Sequence, residues 1–100
     1  MLNIEKKLDG KTLTVALEGR LDTTTAPQLE TELKAALDGA DSLILDFEKL
    51  EYISSAGLRV LLSALKAMNA QKGTMRVTGA NEMIREIFDV TGFSDILILE

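Results

Sequence analysis

Leu2 and Ile4, then Leu13, Val15 and Leu17, alternate with polar neighbours, the period of two that marks strands with one buried face. Asp9-Gly10 lies between the two runs and supplies the positive φ of a tight turn, so two antiparallel strands are predicted to open the fold. Over residues 25–38 the period lengthens, and Leu29, Leu33, Ala36 and Leu37 fall on one face of a helix. Thr25 and Gln28 have capping-box spacing, Pro27 sits in the first turn, and Gly39 is placed to end the helix in a left-handed conformation. The run SLILDF (42–47) is almost continuously apolar, which predicts a central strand covered on both faces.

Leu58, Leu61, Leu62, Leu65 and Met68 recur at steps of three and four, predicting a second helix from about Ser55 to Gln71 with these leucines in the core. TMRVT (74–78) alternates again, after Gly73. Asn81 is placed to cap a third helix bearing Met83, Ile84, Ile87 and Phe88 and stopping near Gly92. Asp95 to Leu99 is apolar without a decisive period. A strand–helix–strand–helix–strand order between residues 12 and 78 implies right-handed crossovers and parallel pairing. The fold class expected is therefore α/β, a mixed sheet made of an N-terminal hairpin and parallel βαβ units, flanked by helices. With short loops and no repeat, residues 1–100 read as one domain, of radius of gyration about 13 Å.

Composition narrows the chemistry. The chain has no cysteine and no histidine, which removes disulfides, thiolate catalysis, thiolate-bound zinc and the commonest general base. Sixteen acids against eleven bases give a net charge of −5, which argues against binding a nucleic-acid backbone. The acidity is strongest at the end, where Glu82, Glu86, Asp89, Asp95 and Glu100 face Arg85 alone. The first residues interleave acids and lysines, and no apolar run approaches the roughly 18–20 residues of a membrane helix. No membrane association and a cytoplasmic location are the expectation.

Three constellations invite a catalytic or ligand-binding reading. Gly10-Lys11-Thr12 imitates the end of a phosphate-binding loop, but Glu5 stands where the motif needs a glycine, and the triplet lies in a hairpin. Asp46, Glu48 and Glu51 gather after the central strand with Lys49 among them as a charge partner, a pattern read as solvated loop acids in preference to a metal or hydrolytic site. Ser54 and Ser55 lack both a histidine base and the glycine of a nucleophile elbow. One of the two reads as a helix N-cap. They also stand where free amides and the positive end of a helix dipole favour an anion, on a surface of small residues (Ser54, Ser55, Ala56, Gly57) that a partner can approach closely. A phosphorylated contact surface is physically reasonable there.

At these residues the chain resembles a known family. GRLDTTTAPQLETEL (19–33) and LILDFEKLEYISSAGLRVLL (43–62) are similar to the two signature regions of STAS domains, and VTGANEMIREIFDVTGFSDILIL (77–99) to their last strand, helix and tail. Within that superfamily the resemblance is to the bacterial anti-sigma factor antagonists. It implies a partner-switching protein that is not an enzyme and needs no cofactor or metal. When unphosphorylated, such an antagonist binds an anti-sigma factor that is also a serine kinase, and so frees a sigma factor for transcription. The kinase then phosphorylates the antagonist, and a serine phosphatase resets it. The resemblance puts the phosphoacceptor on Ser55 and the partner surface on Asp22, Ser54, Ser55, Ala56, Gly57 and Arg59. One position departs from the pattern. Ser54 stands where the family usually has an aspartate, which removes a charge and makes Ser54 the second candidate acceptor. The alternatives carried forward are a STAS scaffold or signalling subunit not switched at Ser55, and a domain that binds a small ligand in a pocket at the sheet end.

Overall fold

The structure, a computed structural model, describes residues 2–100. Strand β1 (Leu2–Asp9) turns through Gly10, at φ 63°, into β2 (Thr12–Leu21). Helix α1 (Ala26–Ala36), β3 (Ser42–Ile53), α2 (Ser55–Ala70), β4 (Thr74–Thr78) and α3 (Glu82–Thr91) follow. A 3₁₀ turn at Phe93–Asp95 and a two-residue β5 (Ile98–Leu99) settle the ambiguous tail. The sheet order is β1-β2-β3-β4-β5, with β1 antiparallel to β2 and the later pairs parallel. The α/β class, the opening hairpin and the parallel units are as the periodicity predicts, and the Cα radius of gyration is 12.2 Å.

Because β2, β3, β4 and β5 are laid down in sequence order, right-handed crossovers put all three helices on one face of the sheet. Burial follows that rule. Leu13, Val15, Leu17, Leu43, Leu45, Phe47, Met75 and Val77 are buried beneath the helices, whereas Thr14, Ala16, Ile44, Asp46, Arg76 and Thr78 on the other face are only half-buried. The expectation that SLILDF is covered on both faces is thereby corrected: β3 is central, but one of its faces is bare. Phe47 meets Phe88 of α3 at a centroid distance of 6.4 Å, and Phe88 meets Phe93 at 6.2 Å, tying the third helix and the tail to the central strand.

β3 twice gains a residue on β2. Ala16 faces Asp46 but Glu18 faces Lys49; Gly19 faces Leu50 but Arg20 faces Tyr52. These bulges absorb the exposed pair Glu48-Lys49 and the step Glu51-Tyr52, and so return Leu50 and Ile53 to the core. Gly79, at φ 71°, crosses the first bulge, where a Cβ would lie 3.1 Å from the Glu48 Cα.

Several local expectations give way to tertiary contacts. The Thr25–Gln28 capping box does not form, because the Thr25 hydroxyl donates to the Arg20 carbonyl (2.9 Å) and accepts from the Asp22 N–H (2.9 Å). α1 ends at Ala36 with Leu37 as its cap, so the left-handed Gly39 (φ 82°) bends the following loop and does not close the helix. Of the leucines assigned to the core of α2, Leu58 and Leu61 are buried, while Leu62 and Leu65 are half-buried. Met83 lies on the exposed side of α3, with Ile84 and Phe88 carrying the packing. Asn81 behaves as expected: its Oδ1 accepts from the Ile84 N–H at 2.8 Å, and its amide donates to the Leu50 carbonyl at 3.2 Å, pinning α3 to β3.

Candidate partner-binding site at the start of the second helix

β3 runs into α2 with only Ser54 between them. Its backbone is extended (φ −100°, ψ 175°), its N–H donates to the Leu21 carbonyl at 2.9 Å, and its Oγ accepts from the Gly57 N–H at 3.4 Å. Ser54 is thus the N-cap, and its hydroxyl is engaged. Ser55 is the first helical residue, exposed, and among the described residues its hydroxyl has no hydrogen-bond partner. No carboxylate or amine is hydrogen-bonded to either serine hydroxyl among the described residues, so neither is armed as a nucleophile.

Gly57 is buried, which corrects its assignment to the exposed contact surface. A Cβ there would lie 2.7 Å from Leu21 Cγ and 2.9 Å from Ile53 Cγ1, so the glycine lets α2 start directly against the ends of β2 and β3. The accessible part of the predicted surface is Ser55 and Arg59, exposed at i and i+4 on one side of α2, with Ser54 and Ala56 half-buried beside them.

Asp22 lies in the loop after β2, next to the β3–α2 junction because Leu21 pairs with Ile53. Its Oδ1 accepts from the Thr24 hydroxyl (2.7 Å), the Thr24 N–H (3.0 Å), the Thr25 N–H (3.2 Å) and, as the longer branch of a bond shared with the Arg20 carbonyl, the Thr25 hydroxyl (3.3 Å). The Thr24 hydroxyl bond is the chief reason the carboxyl is held below the usual aspartate range; partial desolvation opposes it, and the Thr24 and Thr25 amides and the Thr25 hydroxyl add to it. Asp22 therefore organises its own loop, and its Oδ2 lies 4.0 Å from Arg20 Nε. The Arg20 guanidinium stacks 4.4 Å above the Tyr52 ring, its register partner on β3. Sequence reasoning did not single out Arg20, Tyr52 or Thr24, and it read Thr25 only as a helix cap. The Asp-Thr-Thr-Thr run after a strand is the signal that could have flagged the loop, whereas the Arg20–Tyr52 pairing depends on the bulges.

The acidic cluster is divided. Asp46, Glu48 and Lys49, with Asn3, Glu5, Ala16 and Glu18, line a hollow of about 310 Å³ on the bare face of the sheet, and Glu51 lies outside it. The Asp46 carboxylate accepts from the Glu48 N–H at 3.0 Å. The predicted pairing of Lys49 with these acids is not observed: among the described residues the ion pairs join Lys6 to Glu32, Arg20 to Asp22 and Arg76 to Glu100. No group of three or more acidic side chains among the described residues is arranged to hold a metal. None of the described helices is long and apolar enough to cross a membrane.

A single mixed sheet covered by helices on one face, with an N-terminal hairpin, singly wound parallel units and a helix starting flush against the end of the central strand, is the architecture of STAS domains. The family model described as STAS domain matches residues 3–100, and the chain belongs to that family. Its relatives include BtrV of Bordetella bronchiseptica, which its name assigns to the anti-sigma factor antagonists. BtrV is 40% identical over 91 residues, covering 90% of this chain and 78% of BtrV. The anti-sigma-B factor antagonist of Staphylococcus aureus is 32% identical over 97 residues, covering 96% of this chain and 90% of the relative. In fold, the chain is similar to the anti-sigma factor antagonist SpoIIAA in its unphosphorylated form (TM-score 0.78, 20% identity, 100% of this chain and 87% of that one). The likeness is equal to the phosphorylated form of SpoIIAA, from Bacillus (TM-score 0.78, 19% identity, 98% and 91%).

Proposed function

We propose that the chain is an anti-sigma factor antagonist switched by phosphorylation at Ser55. In this reading the unphosphorylated form binds an anti-sigma factor that is also a serine kinase, releasing a sigma factor for transcription; phosphorylation breaks the complex and a serine phosphatase restores it. The naming of relatives at 40% and 32% identity as antagonists supports the class. The observation that carries the choice of residue is the contrast between the two serines: the Ser55 hydroxyl is exposed and unengaged, whereas that of Ser54 caps the helix.

The contact surface assigned here is Asp22, Ser54, Ser55, Ala56 and Arg59, on a platform that Gly57 brings against the sheet. Phosphate adds about −1.5 to −2 charges to a chain already at −5. At the start of α2 the fold tolerates that charge, because the first-turn amides and the dipole favour anions. An interface closing over it does not: an uncompensated buried charge costs several kcal/mol, and about 1.4 kcal/mol is a tenfold loss of affinity. A hundredfold or larger switch thus needs no rearrangement of the fold. That SpoIIAA keeps one fold in both its forms is consistent with a switch of this kind.

The test is affinity capture from lysate of the native host with the original chain, Ser55→Asp, Ser55→Ala and Ser54→Ala as baits. Captured proteins are identified by mass spectrometry, and the purified partner is then incubated with each chain and radiolabelled ATP. The reading expects an ATP-binding partner captured by the original, Ser55→Ala and Ser54→Ala chains but not by Ser55→Asp, and label on every chain that keeps Ser55. Equal capture by all four, with no label, overturns it in favour of an unswitched STAS scaffold. Label that survives Ser55→Ala and vanishes in Ser54→Ala moves the acceptor to Ser54.

A further inference from the structure

The free edge of β1 has a chemistry of its own, independent of the serine surface. β1 closes the sheet on one side, and Asp9 and Thr12 flank its two-residue turn as a hydrogen-bonded pair. Asn3, Glu5 and Lys7 therefore direct their backbone groups at β2, and the N–H and C=O groups of Leu2, Ile4, Lys6 and Leu8 point away from the sheet. Ile4, Lys6 and Leu8 carry their side chains on the helix-covered face, and Glu5 and Lys7 theirs on the bare face, because they pair with Leu17, Val15, Leu13, Ala16 and Thr14 respectively. Leu8 is 64% exposed although its register partner Leu13 is buried, and Ile4 is only partly covered.

We propose that this edge pairs with the same edge of a second copy of the chain, antiparallel and with the two-fold axis at Lys6. Only registers that bring outward-pointing residues opposite one another let the backbone groups bond, so the allowed registers differ by steps of two. With the axis at Lys6, each Glu5 stands opposite the second copy's Lys7, and each Ile4 opposite its Leu8, giving two ion pairs on the bare face and two apolar pairs on the helix side. The two Lys6 side chains meet at the axis, but each already lies 3.2 Å from Glu32 of its own α1. Moving the axis to Glu5 sets that acid against itself and Lys6 against Ile4. Moving it to Lys7 sets lysine against lysine and Glu5 against Asp9. Of these three registers, the chosen one is the register that sets Glu5 against Lys7 and Ile4 against Leu8. It also keeps both helix layers on the same side, so two five-stranded sheets become one continuous sheet.

The experiment is sedimentation equilibrium across a concentration series for the original chain, Glu5→Lys, Lys7→Glu and the double variant Glu5→Lys/Lys7→Glu, with circular dichroism to check folding. Both positions are exposed and neither is in an intrachain ion pair among the described residues, so the variants keep the monomer fold. The original chain is expected to reach twice its own mass as concentration rises. Each single variant is expected to weaken association about tenfold, because two attractive cross-strand pairs become repulsive, and the double variant to recover it. A chain that stays single throughout overturns the proposal. So does a dimer that neither single variant weakens, or one that the double variant fails to rescue.

Discussion

Gly57→Ala tests how closely the second helix is seated. The added Cβ would lie 2.7 Å from Leu21 Cγ, 2.9 Å from Ile53 Cγ1 and 3.0 Å from Leu21 Cδ2. Carbon atoms pack comfortably at about 3.5–4.0 Å, so Leu21 and Ile53 must each give way by nearly an ångström. Neither can do so by swinging a side-chain tip, since the nearest atoms are close to the branch points and the two residues are 0% and 1% exposed. Overpacking of this kind costs about 1–3 kcal/mol, and the better helix propensity of alanine returns up to about 1 kcal/mol. The net expectation is a loss of about 1–2 kcal/mol. In urea, with a slope of about 1–3 kcal/mol per molar, the midpoint should fall by roughly 0.5–1 M with the slope unchanged. In a thermal scan each kcal/mol lowers the midpoint by about 4–8 °C for a chain of this size. A variant as stable as the original would refute the argument that only a glycine lets α2 start flush against the sheet.

Three further expectations follow from the same contacts. The Asp22 carboxyl is held below its ordinary value, so its contribution to stability is complete above about pH 4 and fades as the pH falls through its lowered folded-state value. The gap in urea midpoint between the original chain and Asp22→Ala should therefore be larger at pH 7 than at pH 3, and a gap independent of pH would contradict the loop's hydrogen bonding. Asn81→Ala removes the cap on Ile84 and the bond to the Leu50 carbonyl and should destabilise by about 1–2 kcal/mol, with faster amide exchange in the first turn of α3. Arg20→Ala unstacks the guanidinium from Tyr52, the sole tyrosine in a chain without tryptophan, so its fluorescence should change with at most about 1 kcal/mol of lost stability.

The elements were legible wherever their signal is local. TMRVT is β4 residue for residue, Asn81 caps α3, and Asp9-Gly10 introduces the hairpin turn, because alternation, a capping side chain and a positive φ are each properties of a few adjacent residues. What was not legible depends on partners distant in sequence. The apolar run around Ile44 says that β3 is central, but only the singly wound order reveals that Ile44 and Asp46 face no second helix layer. Thr25 has the spacing of a cap, yet its hydroxyl is taken by the Arg20 carbonyl of the incoming strand. Lys49 stands among acids in sequence, but the bulge projects it into a hollow without an ion pair. The serine pair was visible in sequence, whereas the division of labour between them rests on one bond from the Gly57 amide and one to the Leu21 carbonyl.

That last bond governs time as well as shape. The Ser54 N–H extends the β2–β3 ladder to the very residue before α2, leaving no connector that could open by itself. Its exchange with solvent should then be governed by opening of the central strands, not by fraying of a surface loop, although it sits at the rim of the molecule. In the proposed reading, a partner docking there would meet backbone that is already ordered, and little of the binding free energy would go into freezing it.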